Sequence, residues 1–299
     1  MPHVYGRALE AVEEAEQLGL SSAWLTEHHL FADGYLPQPL VFAAALAVRT
    51  KRMRIGTAVL LAPLRSAIEI AEQAAVVDNL SGGRLELGLG AGYRVPEYEA
   101  FNVVPADRFA LLEDRALAVR AIWEKGIVTP TPHQDRVPIW VGADGPRGAT
   151  IAGRVGAGLL ALHRDLWQPY VDAYAEAGHS HPMPKASGPW PVVLAEDPER
   201  TWEIIKPYAT HQWDTYDSYA LEGVTGDPLN VLFRTRGKDS PPPTRVLTVT
   251  DAAHELKVLA EQLPISEIFA FERIAGMPDE VAADHVRLLA QLSGLVADL

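Results

Sequence analysis

The chain contains no cysteine. That excludes disulfides, thiolate metal sites and a cysteine nucleophile. It also lacks any uninterrupted apolar run of about 18 residues, the length a membrane-crossing helix needs. The opening residues Met1–Arg7 carry no apolar core of a secretory leader, so a soluble, cytoplasmic protein is expected. Positive charge is in short supply: 26 basic residues face 39 acidic ones, a net charge of −13. Nucleic acid and anionic membranes are therefore poor candidates for partners. No glycine fingerprint of the G-x-G-x-x-G kind opens a helix, so no nicotinamide-binding unit is expected. The few lysines lie outside the strand interiors, which speaks against a Schiff-base aldolase. No set of ligands completes a metal site.

What is present is a regular alternation. Apolar residues make up 48% of 299, enough for one large α/β domain. Short apolar runs at 22–26, 53–61, 84–92, 138–142, 158–162, 190–195 and 267–272 read as strands. Most are apolar almost throughout, as parallel strands buried on both faces should be. Helical spacing links them at 8–18, 39–48, 67–80, 106–124, 146–156, 166–177, 198–219, 251–263 and 278–297. Such alternation predicts a parallel sheet with helical crossovers. The whole chain, 1–299, is expected to be a single barrel domain. Residues 221–248 read as irregular, and the segment 221–250 as an insertion or lid.

Three stretches carry chemistry. The first strand ends in Glu27, His28 and His29, a carboxylate and two imidazoles at the C-terminal rim where barrel enzymes place their reactive groups. Gly88–Gly92 is a glycine-rich strand end that lets a ligand approach the backbone, with Tyr93, Arg94 and Glu97 following. Gly142-Ala-Asp-Gly-Pro-Arg-Gly148 runs from a strand into a helix whose free amides and positive dipole suit a phosphate, with Arg147 to add charge. His163 ends the next strand. Trp190 is a weaker candidate for the substrate pocket.

Trp24–His29, Arg54–Thr57, Ser81–Gly92 with Glu97–Phe101, and Pro138–Gly142 stand in an order and spacing similar to the bacterial luciferase-like flavin-dependent oxidoreductases. The match runs from about residue 8 to 164. Ala195–Arg200 resembles the family more weakly. The resemblance implies a (β/α)8 TIM barrel that binds reduced FMN or a deazaflavin, coenzyme F-420, at the C-terminal strand ends. It implies His28 as the catalytic histidine, with Glu27 and His29 orienting it or holding the neighbouring loop. It further implies a bulge with a non-prolyl cis peptide at Ala58-Val59, after Thr57, against the flavin ring. Gly90, Ala91, Gly92, Tyr93, Gly142, Asp144, Gly145, Arg147 and His163 complete the implied cofactor contacts.

Two departures from the family stand out. The family's first strand precedes the segment where this chain begins, and Met1–Tyr5, a partner chain or upstream residues are the expected ways to fill the gap. Ala91 occupies a position where the luciferases carry an arginine for the FMN phosphate, while deazaflavin-using relatives more often have a small residue. The expected function is a luciferase-like monooxygenase using reduced FMN and oxygen on a small apolar substrate. A separate flavin reductase would then be a partner, and His28 would help to form and protect a flavin hydroperoxide. The alternatives are coenzyme F-420-dependent hydride transfer and a non-catalytic flavin-binding barrel. A homodimer through the helices at 67–80 and 106–124 is also expected.

Overall fold

The computed structural model describes residues 4–222 and 241–297. In chain order the elements are α1 (Val4–Gln17), β1 (Ser22–Leu25), α2 (Pro39–Arg49), β2 (Arg54–Thr57), β3 (Leu60–Leu61), α3 (Ala67–Ser81) and β4 (Leu85–Gly90). These are followed by α4 (Val95–Ala100), α5 (Arg108–Glu124), β5 (Ile139–Gly142), α6 (Pro146–Arg154), β6 (Gly158–Leu160) and α7 (Trp167–Ala177). The chain then forms β7 (Ala186–Pro189), β8 (Val192–Leu194), α8 (Pro198–Leu221), β9 (Arg245–Leu247), α9 (Val249–Gln262), β10 (Ile265–Phe269) and α10 (Asp279–Leu295).

The main sheet is parallel in the order β1-β2-β4-β5-β6-β7-β10, and β3 joins it beside β4. It curls until its two outer strands face each other, a barrel closed but for one seam. No main-chain ladder joins β1 to β10. Side chains bridge them instead: the Trp24 ring stacks on Phe269 at 4.8 Å, and Glu267 accepts hydrogen bonds from Trp24 Nε1 and Ser21 Oγ. Burial pushes the Glu267 carboxyl up from its ordinary range. The sheet therefore keeps two outer strands, β1 and β10, at this seam. Val4 and Tyr5 do not patch the seam as a strand, because they open α1, where Tyr5 packs on Phe42. Met1–His3 lie outside the described residues.

Two tryptophan–glycine pairs fill the barrel's floor. Trp24 is in register with Gly56, and Trp140 with Gly158. A Cβ on either glycine would overlap the indole beside it. The two indoles meet edge to face at 6.2 Å. Trp140 Nε1 donates to Glu86, which also pairs with Arg54. Buried polar atoms are therefore matched inside the floor, as burial requires. Around it, Ile55, Leu85, Leu87, Leu89, Leu112 and Leu159 are wholly excluded from solvent and belong to one core spanning residues 25 to 174. Each such leucine contributes about 1.5–3 kcal/mol by leaving water.

Sequence patterning located most elements and blurred two. The predicted strand 190–195 contains Val192–Leu194, which turns away from the barrel to pair with Arg245–Leu247, while the barrel member is Ala186–Pro189 just before it. The barrel member was overlooked because Ala-Ser-Gly-Pro lacks the apolar, β-branched signature of a strand. Of the segment 221–250, residues 223–240 lie outside the described residues, and 245–247 form a strand where irregular chain was expected.

Candidate active site

All barrel strands run the same way, so their C-terminal ends converge on one mouth. A cavity of about 3300 Å³ opens there and continues down the β1–β10 seam. It exceeds an ordinary ligand pocket of about 300–1,000 Å³ because it includes that seam.

β1 stops at Leu25, so the following residues are free of strand alternation. Glu27, His28 and His29 then part company. The Glu27 side chain is fully buried and holds three partners: it accepts from Leu61 N and Arg65 Nη1, each at 2.7 Å, and lies 2.7 Å from His29 Nε2. His29 packs edge-on against Phe101 and is absent from the cavity wall. This pair ties β1 to β3 and to the loop before α5. His28 alone presents its ring to the cavity. Its Nδ1 lies 3.1 Å from Glu97 Oε1, and that oxygen also accepts the His29 amide at 2.8 Å. The carboxylate favours a proton on Nδ1, leaving Nε2 toward the cavity, where the Tyr93 hydroxyl stands at 3.4 Å. Burial pushes Tyr93 far above its ordinary value, and the Glu97 charge adds to that; the phenol stays protonated.

Leu30 adopts φ 62°, a left-handed conformation costly for a leucine. It turns the chain back so that Phe31 stacks on His28 at 4.6 Å. Tyr35 approaches the same imidazole edge-on at 4.9 Å, and Tyr216 of α8 stands at 5.9 Å. Glu97 sits on α4, a short helix opened by Arg94 and Pro96. Arg94 is buried, donates to the His29 carbonyl and pairs with Glu222 at the end of α8.

The Ala58-Val59 peptide is cis, at the break between β2 and β3. The Val59 side chain lies where a Cβ on Gly90 or Gly142 would be. These two glycines therefore make room for the bulge. Ala58, Val59, Gly90, Ala91, Gly92, Gly142, Asp144, Gly145, Arg147 and His163 all line the cavity. Thr57 does not. It is fully buried, and its hydroxyl both donates to the Gly88 carbonyl and accepts the Gly88 amide, at 2.7 and 2.9 Å. Thr57, expected among the cofactor contacts, lies behind the cavity wall, where its hydroxyl repairs the sheet at the end of the β2 ladder.

Asp144 faces the cavity at the strand-to-helix turn, and burial raises its carboxyl while the His163 charge opposes. α6 begins with Pro146 and has no side-chain cap, so its first amides are open to a ligand. Arg147 lies over the Phe109 ring at 4.5 Å, and Arg108 over the same ring at 4.5 Å. Arg108 Nε is buried with no hydrogen-bond partner. Burial pulls Arg108 below its ordinary value, and Arg147's charge adds to that. A buried, unpartnered guanidinium nitrogen beside a second arginine and an uncapped helix start is what an anionic group would satisfy.

Sequence reasoning overlooked Arg108, yet a signal was there. An arginine in the first turn of a helix opposes the dipole, and such a placement asks for another purpose. Phe31, Tyr35, Tyr216 and Tyr219 were also overlooked. Tyr216 and Tyr219 share a face of α8 at i, i+3 spacing, but only the fold brings that face to His28.

The luciferase-like monooxygenase family model matches residues 2–290. An F420-dependent glucose-6-phosphate dehydrogenase from Amycolatopsis mediterranei is 29% identical over 92% of this chain and 82% of its own. The 4-hydroxyprotoasukamycin monooxygenase of Streptomyces nodosus subsp. asukaensis is 38% identical, over 58% of this chain and 55% of its own. Among solved structures, monooxygenase RslO1 from Streptomyces bottropensis superposes with a TM-score of 0.79 at 22% identity, covering 96% of this chain and 93% of its own.

Proposed function

The chain belongs to the luciferase-like monooxygenase family, an oxidoreductase family with the barrel fold described above, and we propose that it is a monooxygenase using reduced FMN. The observation that carries this is the buried, unpartnered Arg108 Nε beside Arg147 and the open start of α6, in the same cavity as the His28–Glu97 pair. Two guanidinium groups and a helix N-terminus match the doubly charged phosphate monoester of FMN better than the singly charged phosphodiester of coenzyme F-420. Arg108, Arg147 and the α6 amides would hold the phosphate, replacing the arginine that position 91 lacks. Ala58, Val59, Gly90 and Gly142 would form the wall for the ring.

Reduced flavin supplies electrons to oxygen when bound. The chain's own groups do the rest. Glu97 keeps the Nδ1 proton of His28 in place, so Nε2 can take a proton from substrate or return one. The Tyr93 phenol remains a donor across the working pH range. Phe31, Tyr35 and Tyr216 exclude water from the imidazole. A separate reductase would deliver the flavin. The outer faces of α3 and α5, with Ile68, Val76, Leu80 and Leu117 exposed, would pair two copies. Residues 221–250 would act as an insertion or lid.

A second reading, hydride transfer with coenzyme F-420, is favoured by Ala91 and by similarity to the dehydrogenase above. Fluorescence titration with FMN and with coenzyme F-420 separates the two. Saturable binding of FMN at least tenfold tighter supports the proposal; preference for the deazaflavin overturns it.

A further inference from the structure

Arg94 opens α4 and stands where three elements meet around His28. Its side chain is 4% exposed, while that of its partner Glu222 is 45% exposed. Nη1 donates to the His29 carbonyl at 2.7 Å. Nε and Nη2 both donate to Glu222 Oε2, at 3.0 and 2.6 Å. The guanidinium packs over two rings, 4.5 Å from that of Tyr219 on α8 and 5.2 Å from that of Phe31 in the loop after β1. Glu97, on the same turn of α4, takes the other side of His29. Its Oε1 accepts the His29 amide at 2.8 Å and lies 3.1 Å from His28 Nδ1. One helical turn thus clamps the His29 main chain at both its carbonyl and its amide. The carboxylate in that clamp is the one that places the proton on His28.

α8 is held unequally along its length. Ile205 and Ala209, near its start, are fully buried in a core with Ile274 and Met277. Pro207 between them has no N–H for the Glu203 carbonyl, and a helix bends at such a place. Beyond it, the contacts with the barrel rim include Trp213 Nε1 to Thr244 Oγ1 at 2.9 Å, the Tyr216 and Tyr35 hydroxyls at 3.0 Å, and Glu222 to Arg94. The ion pair differs from the other two in what its loss would do. A guanidinium kept from water needs its carboxylate, and without Glu222 the closed arrangement would hold an uncompensated charge. Raising the end of α8 would let water reach that charge.

We propose that Arg94 is a positioning residue and that its pair with Glu222 latches the end of α8 over the site, so that closure and the alignment of His28 are one event. With α8 down, Glu222 holds the guanidinium, and the guanidinium holds the His29 carbonyl. Glu97 completes the clamp that points His28 Nε2 into the cavity. With α8 up, the guanidinium is hydrated, the His29 peptide is held at its amide alone, and the imidazole is free to turn. Ligands then enter and leave through an open, wet mouth, and His28 handles protons only once water is shut out. The alignment half of this inference rests on the acid–base role proposed for His28; the closure half does not.

The chain has no cysteine, so nitroxide labels can be attached without removing a native thiol. Glu99→Cys on α4 and Ser218→Cys on α8, both exposed, carry them. Pulsed electron-spin distances are then read on the full chain. Long-range proton–nitrogen correlation spectra report the His28 tautomer, with His28→Gln identifying its signals. Expected in the parent is one short distance, with a longer one at about 10% or below, and a His28 pattern of protonated Nδ1 and bare Nε2. Glu222→Gln and Arg94→Ala should each raise the long-to-short ratio about tenfold and move the His28 nitrogens toward a tautomer mixture. Glu222→Gln changes a half-exposed side chain, so its result stands even where Arg94→Ala fails to fold. Unchanged distances in Glu222→Gln overturn the latch. Longer distances with the parent's His28 pattern overturn the coupling, and so does an altered pattern with α8 still down. FMN affinity is measured on the same preparations as a separate outcome. Failure to bind FMN condemns the flavin reading and leaves the distances to decide the latch.

Discussion

The two halves of this barrel are built differently. From β1 to α7 one large core runs through six strands and their helices, from Leu25 to Tyr174, with a small satellite of Leu61, Leu64 and Tyr98 beside Val59. From β7 onward the apolar residues divide into two smaller clusters, around Trp190 and Leu256 and around Ile205 and Ile274. The first half carries His28, Glu97, Tyr93, the Val59 bulge and Arg108. The second contributes Tyr216, Tyr219 and Glu222 from one end of α8. In the proposed reading the first half would position a cofactor and a proton-handling group on a close-packed frame, where small displacements are resisted. The second half lays a roof over them with less core behind it. Reactive geometry belongs on the rigid part, and substrate selection on the part that can vary.

The largest expected effect falls in the first half. His28→Ala should reduce turnover by about 10²-fold or more while flavin still binds. Unchanged kcat removes His28 from the mechanism, and lost flavin binding makes it a structural residue. Next is the bulge. Gly90→Ala places a Cβ into the Val59 side chain, and overpacking of this kind costs about 1–3 kcal/mol. A fall in denaturation midpoint together with weaker flavin binding is expected. A variant as stable as the parent would mean that the wall yields and the first half is less rigid than argued.

The second half has its own fastener. His285 on α10 accepts the Leu194 amide at Nδ1, and its Nε2 lies 3.1 Å from the Phe271 carbonyl. Burial lowers it from 6.5 to about 4, the Phe271 carbonyl opposing. In the unfolded chain it takes a proton near pH 6.5, while the folded chain resists until about pH 4. Stability is therefore full above pH 6.5 and declines as pH falls to 4, by about 3 kcal/mol at most. His285→Gln should flatten that window in urea denaturation. An unchanged slope between pH 6.5 and 4 would assign the acid sensitivity elsewhere. The smallest effect concerns Leu30. Leu30→Gly relieves the left-handed backbone and should stabilise by about 0.5–1 kcal/mol. A loss of stability would show that the exposed leucine packs on something that outweighs the strain.

The same division governs what was legible in the sequence. Strands β2, β4 and β5 announce themselves by runs that are apolar almost throughout, and the glycines at 90 and 142 mark a close approach. The sequence does not say that Val59 makes that approach. His28 and His29 look equivalent as letters. They separate only because β1 ends at Leu25 and Glu27 recruits Arg65, 38 residues away, to hold His29 aside. Arg108 was concealed by its place in an ordinary helix start. In the second half, β7 escaped notice because small residues suffice where Gly188 packs on Leu162. The aromatic shell joins residues from the loop after β1, the loop after β4 and α8, a juxtaposition that no local pattern encodes.

The central claim is that the first half grips a phosphorylated flavin through Arg108, Arg147 and the α6 amides. Calorimetric titration of the chain and of Arg108→Ala with FMN and with riboflavin tests it most directly. The account predicts that FMN binds the parent about 100-fold tighter than riboflavin, and that Arg108→Ala erases most of that difference without altering riboflavin binding. Equal affinity for FMN and riboflavin in the parent, or an undiminished preference in the variant, would contradict it.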